Sequence, residues 1–120
     1  MGVENNECVI ATTWDNNKIE SIKQWVKTLD KHHQTLFAFL PSLVNGKQTI
    51  ILGPDGSKKG WDIANTVEIL RNNFIKQLES FNYSDGSNPF DYVEVGYGEF
   101  GQKVLRGNCV NKYDDKEYAV

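Results

Sequence analysis

Val67, Leu70, Phe74, Ile75, Leu78 and Phe81 return at steps of three and four residues, the spacing that lines up side chains on one face of an α-helix. A helix striped in this way is stable only when that face covers something apolar. Ile19, Ile22, Trp25, Val26 and Leu29 repeat the pattern nearer the N-terminus, so the chain must supply an apolar surface wide enough for two helices. The other apolar residues fall in short runs rich in β-branched and aromatic side chains: Cys8 to Trp14, Leu36 to Leu40, Thr49 to Leu52, Phe90 to Tyr97 and Lys103 to Arg106. Runs of this length and composition read as strands. The resulting order, β-α-β-β-α-β-β, lacks the repeated strand-helix crossover of a doubly wound sheet. It predicts an α+β fold in which one mainly antiparallel sheet carries both helices packed on one face.

Local signals set the boundaries. Asn17 with Glu20, and Asn65 with Glu68, have capping-box spacing at the two helix starts, and Ala64 with Ile69 occupies the hydrophobic-staple positions. The first helix is expected to run to about Lys31. Asn45-Gly46 separates two strand runs and predicts a hairpin, because a type I′ turn needs positive φ at both central residues. Pro41 has no N–H to give a ladder, so it marks an edge, a bulge or the end of its strand. Trp61, just before the second helix, is expected to pack beneath it as an anchor, and the charged tail from Asn111 is expected to fray.

At 120 residues, 39% hydrophobic and 12% aromatic, the chain reads as one domain over residues 1–120 with one continuous core. A net charge of −3 and only two arginines, Arg71 and Arg106, argue against a long nucleic acid as partner, since that affinity comes from many phosphate contacts. One small phosphorylated ligand needs only a few local donors and stays compatible. No apolar stretch approaches the roughly 20 residues that span a bilayer, and the N-terminus does not read as a secretory signal. Cys8 and Cys109 are therefore expected to be reduced, buried thiols.

Catalysis needs a nucleophile, an acid or base, or a metal, arranged to converge. His32 and His33 are adjacent and point apart, which suits a solvated helix end better than a metal site. The cysteines lack a CxxC partner. Asp91 with Glu94, or Asp114 with Asp115, are the carboxylate pairs able to serve as acid and base or to hold magnesium, though exposed strand and tail carboxylates are usually just solvated. Gly53 to Gly60 lies between a strand and a helix, where loops touch anions. It is no Walker loop, because Lys58-Lys59 is followed by Gly60; a plain connection is the other reading. No catalytic set, metal or cofactor is expected.

Holding a nucleotide-like molecule takes a flat ring for the base, a cation for phosphate, and amides or carboxylates for base edges and ribose hydroxyls. Candidates are Thr12, Thr13 and Trp14 at the end of the first strand, Lys58 in the glycine-rich loop, and Phe81 closing the second helix. Asn88, Phe90 and Asp91 open the next strand, and Arg106 with Asn108 lies on the last. Each has an ordinary structural reading as well: Trp14 and Phe81 as core, Asn88-Pro89 as a turn.

The words Ala11-Thr12-Thr13-Trp14, Gly53-Pro54-Asp55-Gly56-Ser57-Lys58-Lys59-Gly60-Trp61-Asp62 and Phe90-Asp91-Tyr92-Val93-Glu94-Val95-Gly96-Tyr97-Gly98 together resemble the first described family of phage Thoeris anti-defence proteins. The resemblance implies capture, without degradation, of glycocyclic ADP-ribose signals made by TIR-domain enzymes, in the host bacterial cytoplasm. It also implies a homodimer or larger homo-oligomer with pockets at the subunit interface, and, in some members, separate sites for cyclic oligonucleotides. On that reading the chemistry above gives the pyrophosphate to Arg106 and Lys58, the adenine to Phe81, and base or ribose edges to Asn88 and Asp91. Two other classes stand beside it. One is a protein inhibitor acting through an acidic face that includes Asp114, Asp115 and Glu117; the other is a nucleotide phosphodiesterase with Asp91 or Glu94 as base.

Overall fold

A computed structural model of the chain describes residues 5–109. Five strands form one antiparallel sheet in the order β2-β3-β1-β4-β5, with β1 (Asn5–Thr13) in the middle. Along β1, Val9, Ala11 and Thr13 are buried. Their register partners Leu52 and Ile50 on β3 (Gln48–Leu52), and Glu94, Tyr92 and Phe90 on β4 (Phe90–Gly98), are buried too. Residues opposite one another in a ladder share a face, so these define the side that the helices cover. Cys8, Ile10 and Thr12 point the other way, with Thr49, Ile51, Asp91, Val93 and Val95 beside them. We call this side the open face.

Helix α1 (Asn16–Lys27) and helix α3 (Asp62–Glu79) lay Ile19, Ile22 and Val26, and Leu70, Phe74, Ile75 and Leu78, onto one core with the covered face of the sheet. The expected α+β fold with one antiparallel sheet is the observed one. Trp25 and Phe74 stack at 6.0 Å, and Phe37 meets both edge-on. Offset and edge-to-face pairs of this kind add ~0.5–1.5 kcal/mol each beyond the area they bury.

The helix starts differ from the capping-box reading. For α1 the cap is Asp15, whose carboxylate accepts from the N–H groups of Asn17 and Lys18. A carboxylate beside the free N–H groups also suits the helix dipole, so Asp15 outcompetes Asn17. Helix α3 begins three residues before Asn65, since the Asn65 N–H already donates to the Trp61 carbonyl. Ile69 is exposed and makes no staple, and Trp61 is half exposed instead of anchoring beneath the helix. Helix α1 also stops short of Lys31. A separate turn of helix, α2 (Lys31–Gln34), follows and is capped by Asp30.

The hairpin of β2 (Phe37–Pro41) and β3 turns through Asn45 and Gly46 with φ of 66° and 61°, and the Ser42 N–H donates to the Lys47 carbonyl. Pro41 ends its strand, as its missing donor requires. Strand β5 (Gly101–Gly107) pairs with β4 through a bulge, because Glu94 faces Arg106 while Val95 faces Val104. The tail from Asn111, with Asp114, Asp115 and Glu117, lies outside the described residues. Among the described residues no helix is long and apolar enough to cross a membrane.

Candidate functional site

Where β1 leaves the sheet, a recess of about 130 Å³ is lined by Thr12, Thr13, Trp14, Lys47, Asn88, Pro89 and Asp91. Five of the ten sequence-derived candidates meet here. Register explains why: Thr12 faces Thr49 on one side and Asp91 on the other, all on the open face. Gln48, next to Lys47, bonds to Asn16 of α1 on the covered side, so Lys47 alternates to the open face with Thr49.

These residues divide into scaffold and free chemistry. The Thr13 hydroxyl is buried, donates to the Pro89 carbonyl at 2.8 Å and accepts from the Asp15 N–H. Asn88 is a staple: its amide donates to the Leu78 carbonyl and to Asn82, and its oxygen accepts from the Phe90 N–H. Thr12, which lines the recess, has its hydroxyl 2.8 Å from that of Thr49 on the neighbouring strand. Trp14 stands at the rim with 63% of its surface exposed. It is not a core residue, and among the described residues no other ring covers its indole. Neither Lys47 nor Asp91 has a side-chain hydrogen bond or ion pair among the described residues.

The other candidates lie elsewhere. Phe90 is fully buried, and Phe81 stacks on it at 5.9 Å with the Lys18 ammonium 4.9 Å from its ring centre. The core stripe, not a base, occupies these rings in the single chain. Asn108 takes over the ladder beyond β5, accepting from the Tyr92 N–H and donating to the Phe90 carbonyl. Arg106 donates to Glu94 and to Asn72. Lys58 is remote from the recess, since its neighbours Ser57 and Lys59 line a second one beside Asn5 and Glu7. Asn5 and Thr13 are the two ends of β1, ~27 Å apart for eight steps of strand.

That second recess has the same volume, about 130 Å³. No aromatic side chain lines it, and Asp55, Glu7 and Glu68 oppose Lys59 and Arg71. The balance is negative, which disfavours a diphosphate. Arg71 is spent within the protein: it is 8% exposed, and its Nε and Nη2 donate to Glu94 and Glu7 at 3.1 and 2.6 Å. The recess at the end of β1, with its ring, cation and carboxylate, is therefore the better match to a nucleotide.

Glu94 and Asp91, expected to be able to work as a pair, are three residues apart on β4 and point to opposite faces. Glu94 is held between Arg71 and Arg106. His32 is exposed and His33 half-buried in α2, and among the described residues no group of three or more His, Cys, Asp or Glu side chains gathers. The cysteines are free, but only Cys8 is buried; Cys109 is exposed. Cys8 pairs with Val95 while Cys109 sits by the Tyr92 carbonyl, three strand steps or ~10 Å away, too far to bridge. Burial pushes both thiols up in pKa, and the Asp91 charge adds to the rise at Cys109. At the mouth of the 82–89 loop, the Ser87 hydroxyl and N–H hold the Asp85 carboxyl below its ordinary range.

Lys47 was not among the sequence-derived candidates. Its only sequence signal is its position two residues before Thr49, which becomes informative once β3 is known to pair with β1.

The fold and recess define an α+β protein with one antiparallel sheet and a polar, aromatic-rimmed cleft at the end of its central strand. No family model matches the chain, and no curated protein or solved structure matches it either.

Proposed function

We propose that the protein holds a cyclic nucleotide signal of the glycocyclic ADP-ribose type and leaves it chemically intact, depriving a bacterial immune effector of its activator. The observation that carries this reading is the exposed Trp14 indole standing over a cleft that also contains a free cation, Lys47, a free carboxylate, Asp91, and the Thr12 hydroxyl. Ring, cation and carboxylate are what base, phosphate and ribose each need. The separation of Asp91 from Glu94 on opposite faces supports retention over hydrolysis by that pair. The resemblance to the phage anti-defence family supplies the particular signal, the bacterial cytoplasm as the place of action, and a homodimer or larger homo-oligomer as the working form. In that form a second copy adds donors to a cleft that has one cation of its own.

The test is recovery of the ligand. Protein incubated with glycocyclic ADP-ribose is separated from free nucleotide and denatured by heat, and the released molecule is identified by mass spectrometry. The expected result is intact nucleotide, together with thermal stabilisation of the protein that grows with ligand concentration; at a thousandfold excess over Kd, linkage gives about 4 kcal/mol. Recovery of a cleaved product, or no bound nucleotide, rejects the reading.

A further inference from the structure

We propose that Lys47 is the phosphate-holding residue of the cleft and that Asp91, on the opposite wall, holds the ribose diol, so that the two clamp a phosphoribosyl group between them. This rests on reading the cleft as a nucleotide site and names the side chains that read it. Among the described residues Lys47 is the cation that lines this recess, whereas Arg106 is taken by Glu94, Lys18 by the Phe81 ring, and Lys58 sits between Ser57 and Lys59, which line the other recess.

The clamp follows from the ladder. Lys47 continues β3, Thr12 is on β1 and Asp91 on β4, so the backbones that carry cation and carboxylate stand two strand spacings apart, ~10 Å. No ion pair joins them, and neither finds another partner among the described residues. A charge of each sign left free across a gap, with the Thr12 hydroxyl between them, suits a guest that is anionic at one end and a hydroxyl donor at the other. Phosphate accepts from the ammonium; the vicinal diol donates to the carboxylate. The backbone presents Lys47 rigidly, because the Ser42 to Lys47 hydrogen bond at 2.8 Å and the two positive-φ residues close its loop. The base then falls toward Trp14.

Ribose 5-phosphate, inorganic pyrophosphate and glycocyclic ADP-ribose are the probes, followed by amide NMR of the full chain. Ribose 5-phosphate is expected to shift the amides of residues 12–14, 47–49 and 91 saturably. Lys47→Gln should weaken it ten- to a hundredfold, the loss of one charge-assisted contact, while Lys76→Gln on α3 changes nothing. Asp91→Asn should weaken ribose 5-phosphate and leave pyrophosphate unaffected. Lys47 is exposed, so its replacement does not threaten folding. Unaltered affinity in Lys47→Gln, shifts centred on Lys59 and Arg71, or no saturable shift overturns the clamp. If ribose 5-phosphate binds through Lys47 but glycocyclic ADP-ribose does not bind, the clamp stands and the proposed signal falls. If the cyclic nucleotide binds equally well to Lys47→Gln, the proposed signal stands and the clamp falls.

Discussion

Arg106 Nε lies 2.6 Å from Glu94 Oε1, directly across the β4–β5 register. Arg71 reaches the other oxygen of the same carboxylate from α3 and extends on to Glu7, so helix and sheet are joined at this end by alternating charges. The two arginines are not equivalent. Arg71 and Glu94 are 8% and 7% exposed, while Arg106 is 41% exposed.

Removing one partner of a buried pair leaves the other charge without compensation, which costs about 3 kcal/mol or more, whereas an exposed pair is worth under about 1 kcal/mol. Glu94→Gln and Arg71→Met are therefore expected to lower stability by about 3 kcal/mol in urea denaturation, and Arg106→Gln by less than about 1 kcal/mol. Equal losses for Arg71 and Arg106 would show that burial does not rank these pairs.

Gly107 answers a steric demand. A Cβ there would stand 2.8 Å from the Tyr92 carbonyl oxygen and 3.2 Å from the Val93 Cα, both backbone atoms that cannot swing aside. Gly107→Ala is expected to destabilise by about 1–3 kcal/mol and to disturb the Asn108 hydrogen bonds to Tyr92 and Phe90, visible as faster amide exchange at Tyr92. Gly46→Ala meets no atoms within 4 Å but sits at φ 61°, so its smaller loss comes from backbone strain alone.

The two thiols should separate by exposure. With a water-soluble disulfide reagent, Cys109 is expected to react well before Cys8, and both more slowly than a free thiol at the same pH, since their raised pKa values leave less thiolate. The sign for stability follows. A thiol kept neutral in the fold contributes nothing below the ordinary thiol range; as pH rises through it, the unfolded chain ionises first and the protein loses stability. Denaturation midpoints should fall from pH 8 upward, and Cys8→Ala should flatten that fall.

The strands, the two long helices and the antiparallel sheet were legible because each depends on local periodicity and on one turn, Asn45-Gly46, whose φ angles only a few residues tolerate. Helix starts were less so. Asp15 and Asn17 are both good caps, and the choice depends on where β1 ends. Asn88, Arg71 and Lys47 were harder still, because which face or partner each takes is decided by residues 10 to 64 positions away. The candidate site was half visible: Thr12, Thr13, Trp14, Asn88 and Asp91 converge, while Phe81 and Phe90 follow the core stripe.

Trp14 and Phe81 give the sharpest contrast between site and core. Trp14 is 63% exposed and, among the described residues, stacks on no other ring, so Trp14→Ala should leave the unfolding midpoint nearly unchanged. Phe81 packs on the buried Phe90 and against the core, so Phe81→Ala removes ring contacts and should lower stability by about 1–3 kcal/mol. For the nucleotide the order reverses, because a base stacked on an aromatic plate is worth ~1–3 kcal/mol. Trp14→Ala should thus weaken glycocyclic ADP-ribose about ten- to a hundredfold in calorimetry while the fold stays intact. A stable Phe81 variant that loses the ligand, beside a Trp14 variant that keeps it, would move the base from the open face to the covered side of the sheet.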